Sequence, residues 1–413
     1  MENRYDKYKD SGIAWIGEIP EHWEVRRLKH LGKNYNGLTY SPNDICGSED
    51  GILVLRSSNI KDNKLCFDDN VYVKKEIPQK LIVNKGDILI CSRNGSAELI
   101  GKAAFIELQT VATFGAFMMI FKGTSNIYHK YLFYIVTSCI SQYKWLFTTA
   151  TINQLTSSML GEIFAPFINN NLEQRSIASY LDQKCGEIDE LITLQEEMIT
   201  KLQSYKQSVI TEAVTKGLDK NVPLKDSGIE WIGEIPEHWS VVKIKYLAKI
   251  KSGDSISSNE IMQEGIYEVY GGNGLMGFCN KKNVDGVNII IGRVGALCGN
   301  VRLISESKFI TDNALILNCF DNALYSYMYI MLKAANLNNL NTSNAQPLIT
   351  GSKVLNVSLP IPPLSEQQSI ADYLDQKCSE IDELISIKQQ KIEKLKDYKK
   401  SLIFECVTGK RKV

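Results

Sequence analysis

Three glycines, Gly272, Gly274 and Gly277 in the run GGNGLMG, fit the G-x-G-x-x-G spacing and follow the strand-like YEVY. A dinucleotide or methyl-donor site needs a helix to open there, because the amides of its first turn hold the ligand. The residues that follow, FCNKKNVDGVNIII, are polar and turn-rich and then strand-like, so a hairpin turn is expected instead. No G-x-x-x-x-G-K-[ST] phosphate loop and no G-x-S-x-G elbow is present, and Pro362-Pro363-Leu364 lacks the polar and aromatic neighbours of a base-holding methyltransferase motif. His22 and His238 occupy one position of a repeated Glu-His-Trp and read as structural. No acid, base and nucleophile come together, so no catalytic residue and no metal ligand is assigned.

The remaining polar residues suit recognition. Arg93, Asn94 and Ser96 follow the apolar strand of GDILICSRNG, and Arg293 takes the matching place in GVNIIIGRVG. Arginine can give two hydrogen bonds to guanine, and asparagine or glutamine can pair with adenine in the same way. Arg56, Ser58 and Asn59, then Asn153 and Gln154, then Asn341, Asn344 and Gln346 are further candidates for the same surface. An ordinary turn role is the alternative for any one of them. Residues 33–172 hold 13 Lys and Arg against 11 Asp and Glu. So weakly charged a reader needs help in gripping phosphates, which supply much of the affinity for DNA.

These residues must be positioned by a chain of 413 residues whose Lys and Arg total equals its Asp and Glu total, 47 each. Net charge therefore argues neither for nor against nucleic acid. The longest apolar run, YLFYIVTSCI, is about half of what a membrane helix needs. The charged start MENRYDKYKD is not that of a signal peptide. Ten cysteines without a C-x-x-C pair, beside four histidines, read as reduced, mostly buried thiols of a cytoplasmic protein.

The chain is a tandem duplication. DSGIAWIGEIPEHW at Asp10–Trp23 returns as DSGIEWIGEIPEHW at Asp226–Trp239, with one change, Ala14 to Glu230. A second block, EQRSIASYLDQK from Glu173, returns as EQQSIADYLDQK from Glu366. Each second block reads as a long helix. Ile177, Leu181, Ile188, Leu191, Met198, Leu202, Tyr205 and Val209 recur at helical spacings, as do Ile370, Leu374, Ile381, Leu384, Leu395, Tyr398 and Leu402. One apolar stripe needs a partner, and the duplicate helix is the obvious one. Ser365 and Gln368 predict a capping box, one of Asn169–Asn171 is expected to cap the first copy, and Gly217 and Gly409 mark the stops. A junction outside the packed stripe is expected near Val214. The variable stretches, about 33–172 and 249–365, read as compact mixed modules rich in short strands.

The two D-S-G-I-x-W-I-G-E-I-P-x-H-W blocks, the two E-Q-x-S-I-A-x-Y-L-D-Q-K blocks and the Pro-Pro-Leu-Ser-Glu-Gln run at Pro362–Gln367 together resemble the specificity subunits of type I restriction–modification enzymes. Nearly the whole chain takes part; the asparagine run Asn169–Asn171 departs from the family's proline. The resemblance implies an α+β fold: two α/β target recognition domains, separated by two long helices in an antiparallel coiled coil, with pseudo-two-fold symmetry. The domains are expected at 1–172 and 218–365, including the repeated segments 10–32 and 226–248, with helices at 173–217 and 366–413. Each recognition domain would read half of a split duplex DNA site, and the helices would set the gap. Two methyltransferase subunits bringing S-adenosylmethionine would dock on the repeated framework, with Trp15, Trp23, Trp231 and Trp239 as candidate contacts. Two translocating nuclease subunits using ATP and Mg would complete the complex, and this chain would bind no cofactor itself. A duplicated coiled-coil scaffold and a single-chain DNA methyltransferase with a fused recognition domain are the alternatives.

Overall fold

The computed structural model describes residues 4–107, 111–147, 153–295, 297–321, 325–341 and 347–413. The chain forms two units, one of residues 1–194 with 391–413 and the other of residues 195–390. Each unit thus holds one module together with part of each long helix.

In the first unit, the strands Ala103–Phe105, Ile88–Cys91, Met118–Gly123 and Gly32–Asn36 form an antiparallel sheet in that order. A second sheet orders Ala112–Phe114, Ile52–Leu55, Val71–Val73 and Ile45–Cys46, the first pair being parallel. Ile88–Cys91 is an unbroken apolar run because both of its faces are covered. Ile88 and Ile90 pack with Tyr131 and Ile135 of the helix His129–Gln142, while Leu89 and Cys91 pack with Val54 and Phe114. The second unit repeats this with Ala248–Ser252, Ala314–Cys319, Asn288–Gly292 and Val301–Ile304 in one sheet. Gly274–Cys279, Tyr267–Gly271 and Phe309–Ile310 make the smaller sheet. Gly271 pairs with Gly274 around the two-residue turn Gly272-Asn273, so the G-x-G-x-x-G run is a hairpin, as its flanks predict.

The strand Phe164–Phe167 pairs with Glu24–Arg27, and Ser358–Ile361 with Ser240–Lys243. The end of each variable stretch, as bounded by sequence, therefore belongs to the repeated framework.

The long helices run Asn171–Lys216 and Leu364–Val407, each close to 70 Å at about 1.5 Å per residue. Asn170 caps the first: its Oδ1 accepts from Leu172 N at 3.0 Å. The capping box expected at Ser365 does not form. The helix already starts at Leu364, which leaves Ser365 inside the first turn, where its carbonyl accepts from Ser369 Oγ at 2.9 Å, while Gln368 turns to Asp372. Gly217 and Gly409 follow the two helix ends with φ of 74° and 73°, and a Cβ on Gly409 would run into Pro20.

The buried stripe differs in part from the predicted one. Leu181, Cys185, Ile188, Ile192, Gln195, Ile199, Leu202, Lys206, Val209 and Ala213 follow a regular heptad alternation of four and three, and all are buried or half-buried. Leu374, Cys378, Ile381, Ile385, Lys388, Ile392, Leu395, Lys399, Leu402 and Cys406 do the same. Leu191, Met198 and Tyr205, with Leu384 and Tyr398, lie one residue off this seam and are exposed. They share its seven-residue period, which is why spacing alone did not separate them. Val214, beside the last seam residue Ala213, is itself wholly buried, so the expected open junction there is absent.

Within each unit the helices pack antiparallel. Cys185 and Ile188 share a cluster with Leu402 and Cys406, and Val209 and Ala213 share one with Ile370 and Leu374. Seam lysines fix the register: Lys399 Nζ lies 2.6 Å from Asp189 in the first unit, and Lys206 Nζ lies 2.6 Å from Asp382 in the second. All ten cysteines are unpaired, and burial pushes the Cys185 thiol up to about 11 and that of Cys406 to about 12, which makes them packing groups. Among the described residues no helix is long and apolar enough to cross a membrane. A double-mutant cycle of Lys399→Ala and Asp189→Ala, read by urea denaturation, is expected to give a coupling of about 0.5–1 kcal/mol; additive losses would mean the pair does not set register.

Candidate nucleic-acid interface

Polar residues of the first unit converge on one open cleft of about 1250 Å³. Arg56, Ser58, Arg93, Asn94, Asn153 and Gln154 line it, beside Tyr40 and Phe117. The strand Ile88–Cys91 ends there, and the amide of Ser92 donates to Phe117 O at 2.9 Å, which turns the chain so that Arg93 projects outward. Arg93 is exposed; its Nη2 donates to Gln154 Oε1 at 2.6 Å, and its guanidinium lies 5.8 Å from the Phe117 ring centroid. A guanidinium has five donors, so one bond to an amide steadies the side chain and leaves others free for a ligand. Asn94 donates to Ser57 Oγ at 3.2 Å and accepts from Ser96 N at 3.0 Å. Ser96 is exposed but does not line the cleft.

Of two further predicted residues, one holds the loop instead of facing outward and the other faces the cleft but is tied to a carboxylate. Asn59 is wholly buried: it accepts from Arg56 N at 2.9 Å and donates to Cys66 O at 3.0 Å and to Asn70 Oδ1 at 3.2 Å. Arg56 reaches the cleft, but its Nη2 is tied to Asp69 Oδ2 at 2.7 Å, so a base or phosphate would compete with that carboxylate.

The second unit carries the corresponding loop in a different register. Cys91 faces Met118 as Gly292 faces Ala314. Ser92 N donates to Phe117 O as Arg293 N donates to Asn313 O, and Leu155 N donates to Ser92 O as Ile349 N donates to Arg293 O. Arg293 is therefore the counterpart of Ser92, and Val294 that of Arg93. The sequence match of the two arginines is overturned: one residue more lies between Gly286 and Gly292 than between Gly86 and Cys91, and a one-residue slip sends a side chain to the other face. Half-buried, Arg293 braces the loop, its Nη1 3.3 Å from Ser252 Oγ and 3.4 Å from Asp312 O. Asn341 accepts from Leu348 N at 3.2 Å. Asn344 and Gln346 lie outside the described residues.

The four framework tryptophans divide. Trp23 and Trp239 are buried, and their indole N–H groups donate to Glu173 Oε1 at 3.0 Å and Glu366 Oε2 at 2.9 Å. His22 and His238 contact the same two carboxylates at 3.0 and 2.7 Å. Burial and the bond to Glu173 push the Tyr5 hydroxyl far above its ordinary range, so it remains a donor to that carboxylate at 2.8 Å. Trp15 packs on Tyr143 and Phe404, and Trp231 is 40% exposed. Trp23 and Trp239 are thus structural, and Trp231 has the most open surface of the four. Glu173 and Glu366 were not singled out from the sequence, although each opens a repeated block just as Glu-His-Trp closes the other; the paired repetition was the available signal.

Two mixed α/β modules, each clamped to the long helices by the same Glu–His–Trp contact, define a duplicated two-module chain. The model of the type I restriction modification DNA specificity domain matches residues 20–203 and 236–397. The putative type I restriction enzyme MjaX specificity subunit of Methanocaldococcus jannaschii is 30% identical, with 96% of each chain covered. The EcoKI specificity subunit of Escherichia coli is 23% identical over 87% of this chain and 83% of its own. A solved chain from work on complex assembly and conformational transition of the type I R-M system superposes with a TM-score of 0.71 at 16% identity, covering 94% of this chain and 98% of that one. The chain belongs to the specificity-subunit family of type I restriction–modification enzymes. It is the recognition component of such a complex, not a catalytic chain, and neither the scaffold nor the single-chain methyltransferase is favoured.

Glu173→Ala should strand the buried Trp23 N–H and the Tyr5 hydroxyl and cost about 1–3 kcal/mol in denaturant unfolding. Glu173→Gln, which keeps an acceptor, should cost clearly less. Equal losses would show that the clamp does not depend on these hydrogen bonds.

Proposed function

We propose that the residue 1–172 and 218–365 segments each read one half of a bipartite duplex DNA site, and that the helices at 173–217 and 366–413 set the unread gap. The observation that carries this reading is the first unit's cleft, where Arg93, Asn94, Asn153 and Gln154 meet on loops of a variable module while the framework around it repeats. Residues 33–172 are nearly balanced in charge, so the grip on phosphates comes from partners in the complex. Two repeated framework surfaces fit two copies of one methyltransferase subunit, which supplies S-adenosylmethionine. Trp231, more open than the other three tryptophans, is the contact we favour among them. Two nuclease subunits using ATP and Mg complete the assembly, which works in the cytoplasm.

Mixing the chain with its methyltransferase partner should confer methylation at one split motif, absent when either is omitted. Arg93→Ala should relax choice at a single position of one half-site, at a cost of about 1–3 kcal/mol for that base. A loss shared by all sequences, with a flatter salt dependence, would identify Arg93 as a phosphate contact. Unchanged affinity and choice would remove it from the interface.

A further inference from the structure

The two modules share enough backbone hydrogen bonds for their loop positions to be compared one by one. Gly115 N donates to Leu55 O at 3.0 Å, and Thr311 N donates to Tyr270 O at 2.9 Å. Gly271 is therefore the counterpart of Arg56, and Asn313 that of Phe117. The isolated bridges Arg93–Gln154 and Val294–Leu348 correspond in turn. Where the first unit presents Arg56, Arg93 and Gln154, the second presents Gly271, Val294 and Leu348. Val294 and Leu348 are 37% and 38% exposed and bridged side by side on a loop. Asn313 is exposed between them and the hairpin turn: a Cβ on Gly272 would lie 2.6 Å from Asn313 O and 3.3 Å from Val294 O. The arginines nearby are half-buried, unlike the exposed Arg93. Arg293 braces Ser252 and Asp312, and Arg302 Nη2 donates to Asn273 O at 3.0 Å.

The major groove offers each of these sets a different target. Guanine O6 and N7 accept a bidentate arginine, adenine N6 and N7 match an asparagine amide, and the thymine C5-methyl is the apolar feature. We propose that the second unit reads its half-site without arginine, Asn313 pairing with an adenine and Val294 and Leu348 packing on thymine methyl groups, while Arg93, steadied by Gln154, reads guanine in the first half-site. This rests on the reading that both loop clusters face DNA. The two halves of the motif then differ in chemistry: the second must contain A·T pairs at the contacted positions, and the first must contain a guanine.

The test uses the full chain with its methyltransferase partner and duplexes carrying the mapped motif. Replacing each thymine of the second half-site in turn by uracil deletes a single methyl, and should weaken binding about fourfold at each contacted position. 7-Deazaguanine, which lacks N7, should weaken binding about tenfold at one position of the first half-site. Asn313→Ala, an exposed substitution, should relax choice at one adenine of the second half-site alone. A second half-site made only of G·C pairs, or a uracil scan without loss on a motif still preferred to scrambled DNA, overturns the proposal and leaves the recognition role standing. Failure of the wild-type complex to prefer its motif over scrambled DNA would overturn both.

Discussion

The carboxylate of Glu173 holds Trp23, His22 and Tyr5, and Glu366 holds Trp239 and His238 in the same way. Each contact ties the start of a long helix to the end of a repeated Glu-His-Trp block, and both partners are spread over the rest of the framework. Against the first of them packs the end of the second helix: Tyr8 donates to Gly409 O at 3.0 Å, and Gly409 lies against Pro20 and Trp23. Gly217 lies against Trp239 and Pro236 in the second unit. An indole N–H buried without an acceptor is costly, so this joint fixes where a helix starts, where another stops and how a module is seated.

On that joint the variable modules are free to diverge. Their strands keep the buried alternation that seats them between a helix and a second sheet, while the exposed residues of the loops at the far strand ends answer to no packing demand. Arg93 and Val294 show the outcome: one backbone position, bridged in the same way, carries a guanidinium in one module and an isopropyl group in the other. The helix pair is constrained in the opposite sense, since seven of the ten seam residues recur 193 residues on, including the lysines at 206 and 399 that pair with Asp382 and Asp189.

Most of the framework was legible in the sequence, because near-identical blocks and a seven-residue period are strong signals. The asparagine cap and the glycine stops fell where the residue types put them. The failures share a cause: a period does not reveal a phase. Leu191, Met198 and Tyr205 recur as regularly as the true seam but sit beside it, and Arg293 matches Arg93 in spelling while its backbone is out of step by one. Ser365 has the spacing of a capping box, yet the helix starts before it, right after Pro363. Within the site, the cluster around Arg93 was legible because polar loop residues follow a buried strand, whereas the burial of Asn59 depends on Cys66, Asp69 and Asn70, which only the fold brings to it.

The central claim is that the modules are independent readers on a common framework. It is tested most directly by exchanging residues 32–163 for the corresponding module of a relative, keeping Phe164–Phe167 because that strand pairs with Glu24–Arg27 of the framework. The methylated motif of cells carrying the hybrid is then mapped across the genome. The account predicts that one half of the motif changes while the other half and the gap stay as they were. A motif in which both halves change together, from a hybrid that still methylates, would contradict it.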